Sequence, residues 1–233
     1  LNLSRSLVER KFPFAHSQLL ASPLLLFVPL MTKYLYRIGF CALWLLTTAA
    51  GFLVLLNYES KGGSAGPTAE HWPAHSEIKR SQNQSTLVMF AHPRCACTRA
   101  SLEELNRLLT SCSEKVTVQI WFFKPSQHSN EWTESGLWRS AAAIPNVTVH
   151  EDLDGAQATL FGAETSGYVL VYSSAGQLLF HGGITGSRGH AGDNPNEDTL
   201  ISLLNGQTSG LKQTSVYGCP LLDKYVIAQK GAQ

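Results

Sequence analysis

LVMFAHPRCACTR, residues 87–99, passes from an apolar run to a pair of thiols within one short stretch. Residues 86–91 (TLVMFA) are apolar without interruption, the pattern of a strand buried on both faces. Beyond the turn at His92-Pro93-Arg94 the period changes. Leu102, Leu105, Leu108 and Leu109 recur at helical spacing, with Glu103, Glu104 and Arg107 read as the opposite, polar face. Cys95 and Cys97 therefore fall where a buried strand hands over to the first turn of an amphipathic helix. A sulfur there meets unpaired backbone N–H groups and the positive end of the helix dipole, which favour the thiolate. Arg94 and Arg99 add positive charge nearby. Cys95, at the turn, is expected to face solvent and attack first. Cys97, one step inside the helix, is expected to be the more enclosed thiol.

Outward from this junction, residues 116–123 (VTVQIWFF) read as a second strand, rich in β-branched and aromatic side chains. Residues 131–143 read as a helix ending before Pro145. Residues 147–150 read as a short strand and 153–161 as a short helix. Residues 168–172 (YVLVY) and 177–181 (QLLFH) flank a turn at 173–176, a hairpin signal, and residues 198–204 form a last helix. Strands alternating with helices predict an α/β fold, a central mixed sheet flanked by helices, with the hairpin adding antiparallel strands.

The N-terminal quarter differs in kind. Residues 37–56 (RIGFCALWLLTTAAGFLVLL) hold no charge after Arg37, and about 20 apolar residues span a bilayer core. Lys33 and Arg37 precede the run, which predicts a single-pass anchor in the inner (cytoplasmic) membrane with residues 57–233 on the periplasmic or extracytoplasmic side. A cleaved signal and a buried core helix are the alternatives to an anchor. Met31, directly before this basic flank, reads as a natural start, and residues 1–30 as an over-extended gene start. Residues 57–70, with their glycines and small polar residues, read as a flexible linker. The folded domain is expected over residues 71–206, with Trp72 and Pro73 packing its edge, and a tail over 207–233.

Composition excludes several classes. With 18 Lys+Arg against 17 Asp+Glu there is no basic surplus to track phosphates, so nucleic acid is not an expected partner. Five cysteines, odd in number and irregularly spaced, do not make a disulfide scaffold, and no pair of CxxC motifs marks a closed zinc site. The glycine-rich loop 181–194 lacks the Gly-Lys-Ser/Thr of a phosphate loop. No cofactor is expected.

The strand–turn–thiol–helix stretch resembles the signature of thioredoxin-fold proteins, in which a Cys-Gly-Pro-Cys opens the helix. Aligned without gaps, Cys95 falls on the nucleophilic cysteine, Cys97 on the proline position and Thr98 on the second cysteine. The stretches 92–105, 165–194 and 217–222 (YGCPLL) are similar to bacterial RedB-type membrane-anchored thioredoxin-like proteins. The resemblance implies a thioredoxin-like fold and exchange with protein thiols and disulfides. Three positions depart from the family, the first being Thr98 in place of the resolving cysteine. Residues 164–168 (ETSGY) hold no proline where the family has a cis-proline, so substrate recognition differs. Met89 stands where the family carries a buried acid, leaving His92 as the nearest proton acceptor.

The first reading is thus a thiol–disulfide oxidoreductase with Cys95 as attacking thiolate, Cys97 as resolving thiol and Cys219, on the tail, as a second one. A Cys-x-Cys disulfide is tight, and strain makes such a bond easy to reduce. Loop 181–194 is read as a lid through which His181 or His190 reaches the thiols. The rival is a Cu(I) site made by Cys95, Cys97 and His181, since thiolates and imidazole suit a soft ion. A peroxide-reducing enzyme ranks lower, because His92 stands where such enzymes place a threonine. A non-catalytic binding module is the remaining alternative. Cys112 reads as a small core residue and Cys41 as inert in the apolar helix.

Overall fold

The computed structural model describes residues 23–112, 116–207 and 211–222. The chain divides into two compact units, residues 1–54 and 55–233. Helix α1, Pro23–Ser60, contains one stretch, Met31–Ser60, long and apolar enough to cross a membrane, with a mean hydropathy of 2.1 and none of its apolar window buried. Cys41 is exposed on it. Most of the 1–30 segment read as an over-extended start lies outside the described residues.

The second unit holds a five-stranded sheet. In chain order it is built from β1 (Ser85–Ala91), α2 (Ala96–Cys112), β2 (Val116–Lys124), α3 (Asn130–Thr133), α4 (Gly136–Ala142), β3 (Val147–Leu153), α5 (Ala156–Phe161), β4 (Tyr168–Tyr172), β5 (Leu178–Gly182) and α6 (Pro195–Leu204). The strand order is β3-β2-β1-β4-β5. β2 runs parallel to β1 and to β3, while β4 is antiparallel to β1 and β5 antiparallel to β4. This is a thioredoxin-like fold, a mixed sheet flanked by helices.

β1 lies at the centre and is buried on both sides, as its unbroken apolar run predicts. Leu87, Met89 and Ala91 face one core with Leu102, Leu105 and Leu108 of α2 and Leu200 of α6. Met89 is an ordinary member of that core. Val88 and Phe90 face a second core with Phe161, Tyr168, Tyr172, Val216 and Leu221. Trp72 seals its edge against Phe161 and Tyr172, with ring centroids 5.3 and 5.1 Å apart. Cys112 is buried in the first core and donates its S–H to the Leu108 carbonyl at 3.1 Å.

Three readings change on contact with the structure. The helix expected over 131–143 is two helices, broken before Gly136, where Ser135 caps α4 by accepting from the Trp138 N–H. Residues 61–70, read as a flexible linker, lie along the domain. Gly63 N–H donates to Val216 O at 2.8 Å, Thr165 Oγ1 to Ser64 O at 2.7 Å and Tyr172 OH to Ala69 O at 2.7 Å. Glu104, read as part of a polar face, is 0% exposed. It accepts from Gly192 N–H and Asn194 Nδ2 and lies 3.5 Å from Arg107, which also binds Glu197 and Asp193. This carboxylate ties the glycine-rich loop to the cysteine helix.

Candidate functional site

Cys95 is the residue immediately before α2, and its carbonyl accepts the Thr98 N–H at 3.1 Å. It stands in the capping position, where side chains accept from the first free N–H groups of a helix. Its sulfur does so here. The Cys219 N–H donates to it at 3.4 Å, and the nearby Cys219 thiol and the Thr98 N–H and hydroxyl add polar stabilisation of its thiolate. Burial alone raises a thiol pKa, and Cys95 is only 1% exposed. Here these groups outweigh burial, and the Cys95 thiol is held below its ordinary value. The charge-stabilising groups are those the sequence supplies at Thr98 and, across the molecule, at Cys219.

The other two thiols shift the opposite way. Cys97 is raised by burial and by the negative charge and hydrogen bond of Cys95, against the opposing pull of Arg188. Cys219 is pushed up to about 12, first by burial, then by its hydrogen bond to Cys95 and the charges of Cys95 and Cys97, again with Arg188 opposing. Of the three thiols, Cys95 is the one whose surroundings favour the thiolate. The exposure of the two helix thiols is the reverse of that expected. Cys95 is the buried thiol and Cys97 the half-exposed one. The reason is the tail, which lays Cys219 over Cys95 and leaves Cys97 uncovered at its side.

Thr98 links this turn to the one before β4. Its buried hydroxyl also meets Ser166 Oγ at 2.8 Å, and Ser166 Oγ accepts the His92 N–H at 2.8 Å. His92 reaches the turn through its carbonyl, which accepts the Cys95 N–H at 3.2 Å. Its ring stacks on Phe123 at 5.9 Å and meets Trp132 edge-on at 5.4 Å, while Nδ1 accepts the Arg94 N–H at 3.2 Å. The Arg94 guanidinium lies over the Trp132 ring at 5.0 Å.

His181 does not join the thiols. It pairs with Leu170 on β5 and points to the core of Val88 and Phe90, the face opposite α2. Its Nδ1 meets Tyr168 OH at 2.8 Å and Thr68 Oγ1 at 3.4 Å. Among the described residues no three His, Cys, Asp or Glu side chains form a group suited to a metal ion. The glycine-rich loop does reach the site, but through Arg188 rather than either histidine. Arg188 lies close enough to Cys97 to favour its thiolate and donates from Nη1 to Gly218 O at 2.6 Å. Sequence reasoning missed Arg188. The available signal was a lone cation within an otherwise small and polar loop.

No protein-family model matches the chain, and no curated protein sequence is similar to it. Solved structures share its fold. An uncharacterized conserved protein from Geobacillus kaustophilus superposes with a TM-score of 0.51 at 17% identity, covering 71% of this chain and 93% of its own. A hypothetical protein from Sinorhizobium meliloti 1021 gives 0.50 at 18%, covering 71% and 98%. A secreted Mycobacterium tuberculosis disulfide oxidoreductase, homologous to E. coli DsbE, gives 0.38 at 12%, covering 54% and 83%. At these identities the likeness to the first two is one of fold.

Proposed function

We propose that this chain is a membrane-anchored, extracytoplasmic thiol–disulfide oxidoreductase of the RedB-like kind, with Cys95 as nucleophile and Cys97 and Cys219 as resolving thiols. One observation carries the reading. Cys95 stands at a helix N-terminus with Cys97 two residues on and the Cys219 N–H 3.4 Å from its sulfur, a setting that favours the thiolate on Cys95. The uncharged run after Arg37, within Met31–Ser60, and the basic pair Lys33 and Arg37 ahead of that run support anchoring with the thiol domain outside.

The Cys95 thiolate attacks one sulfur of a protein disulfide. A Cys95–substrate disulfide forms, and the other substrate sulfur leaves as a thiolate. Cys95 then no longer carries charge. One cause that holds Cys97 and Cys219 in the protonated form disappears, while Arg188 remains beside them. A second thiol can now ionise and attack the Cys95 sulfur, closing an intramolecular disulfide and expelling the remaining substrate sulfur as a thiolate. Two electrons pass from the chain to the substrate. The same steps in reverse oxidise a dithiol, and the potentials of the partners set the direction.

The test is disulfide exchange by the reduced, purified chain with glutathione disulfide, followed by mass spectrometry. Exchange should be lost in Cys95→Ser, with an intramolecular disulfide accumulating in the parent. A chain whose Cys95 forms no mixed disulfide, yet whose thiols together hold one Cu(I), would replace this reading with metal binding.

A further inference from the structure

The turn before β4 offers a short, strand-like edge, and the chain's own tail is seated on it. Ser166 N–H donates to Cys219 O at 2.9 Å, and Leu221 N–H donates to Glu164 O at 2.8 Å. Between these bonds Thr165 faces Pro220 in an antiparallel bridge. The pattern suits proline, because neither bond uses the N–H it lacks. Pro220 also biases Cys219 toward an extended backbone, the conformation a strand needs. Arg188 holds the Gly218 carbonyl from the other side. Gly218 itself is packed without spare room, since a Cβ there would lie 2.0 Å from Ser166 O. Together these contacts lay the Cys219 N–H on the Cys95 sulfur and leave Cys95 1% exposed.

A buried sulfur cannot be reached in line by the disulfide of another protein. Yet the edge beneath the tail is what an extended peptide requires: one N–H, at Ser166, and one C=O, at Glu164, both usable by an added strand. We propose that residues 218–221 are an intramolecular ligand of the thiol site, which an extended, cysteine-containing segment of a substrate protein must displace. The displaced tail carries Cys219 away with it, so Cys97 is the thiol that stays beside Cys95 while substrate is bound. In the same register, the residue before the substrate cysteine is glycine, because Ser166 O leaves no space for a Cβ. The inference rests on the proposed exchange chemistry for its substrate, but the seating of the tail is tested without any.

The measurement is the limiting, high-pH rate at which iodoacetamide modifies Cys95 in the reduced full chain, read by mass spectrometry. Gly218→Val should unseat the tail and raise that rate by about tenfold or more, because local opening then becomes easy. Cys219→Ala should change it by no more than about threefold, since the backbone, not the thiol, holds the strand. An unchanged rate in a Gly218→Val chain with native near-ultraviolet circular dichroism overturns the proposal. Should that variant lose its native signal, Arg188→Ala takes its place under the same criterion; it removes the clamp on Gly218 O together with the cation beside Cys97, and the limiting high-pH rate at Cys95 reads the first of these. If Gly218→Val exposes Cys95 but the chain exchanges with no disulfide, the oxidoreductase reading fails and the tail remains a strap.

Discussion

The backbone N–H of Cys219 rests 3.4 Å from the sulfur of Cys95, across 124 residues of chain. That contact joins the start of the cysteine helix to the tail, and it gives Cys95 donors that no local sequence supplies.

Removing one donor should therefore be visible in the titration of Cys95. In the parent chain, the alkylation rate should rise with pH through a midpoint below the ordinary thiol value of about 8.5. Cys219→Ala deletes a thiol donor, and Thr98→Val deletes a hydroxyl donor. Each should raise the midpoint by about one unit, since a hydrogen bond to a charged group is worth about 1.5 kcal/mol. Thr98→Ser should restore the parent profile. Midpoints that stay put in both variants would remove these groups from the electrostatics of the site.

The two resolving candidates should separate in a trapping experiment. If substrate lifts the tail, Cys97 is the thiol at hand, and Cys97→Ser should accumulate more mixed disulfide with a protein substrate than Cys219→Ser. Non-reducing gels and mass spectrometry of the trapped species give the comparison. Equal trapping by the two variants would speak for parallel resolution by both thiols.

Stability should depend on Glu104. Burial raises its carboxyl above the usual range, Glu197 adds to the shift, and the Gly192 N–H and Arg107 oppose it. An acid whose folded pKa is raised holds its proton more tightly in the folded chain. Its stabilising contribution is complete below the unfolded value, about 4.3, and falls as pH rises through the raised one. Glu104→Gln keeps a neutral acceptor for Gly192 and should flatten the decline of Tm as pH rises above the unfolded value. An undiminished slope in the variant would assign the pH dependence to other groups.

Orientation in the membrane can be read with a reporter active only outside the cytoplasm, fused after Gln233. Lys33 and Arg37 before the apolar stretch predict an active fusion, and charge reversal at both positions should weaken it. Activity of a cytoplasmic reporter at the same position would invert the topology.

Much of the fold was legible because it rests on local patterns. An unbroken apolar run marks β1 as central, a change of period marks α2, and the hairpin shows in two short strands around a turn. The placement of Cys95 at the helix start is likewise local, since capping geometry follows from where one period ends and the next begins. The break before Gly136 is local too, but the helical pattern on either side of it masked the stop.

What the sequence could not specify are contacts between distant segments. Whether Glu104 faces water or a loop depends on where residues 192–194 return, and they return onto it. Whether loop 181–194 offers the thiols a histidine or an arginine depends on strand register, which turns His181 to the far face and leaves Arg188 beside Cys97. The exposure of the two helix thiols was reversed for the same reason. A helix start predicts an open sulfur at Cys95, but the tail's pairing with Glu164 and Ser166 covers it. Hydrophobic period and helix capping act over a few residues and are written in order along the chain. Strand addition by a tail is satisfied by backbone groups that every residue carries, so only the folded structure decides where it happens.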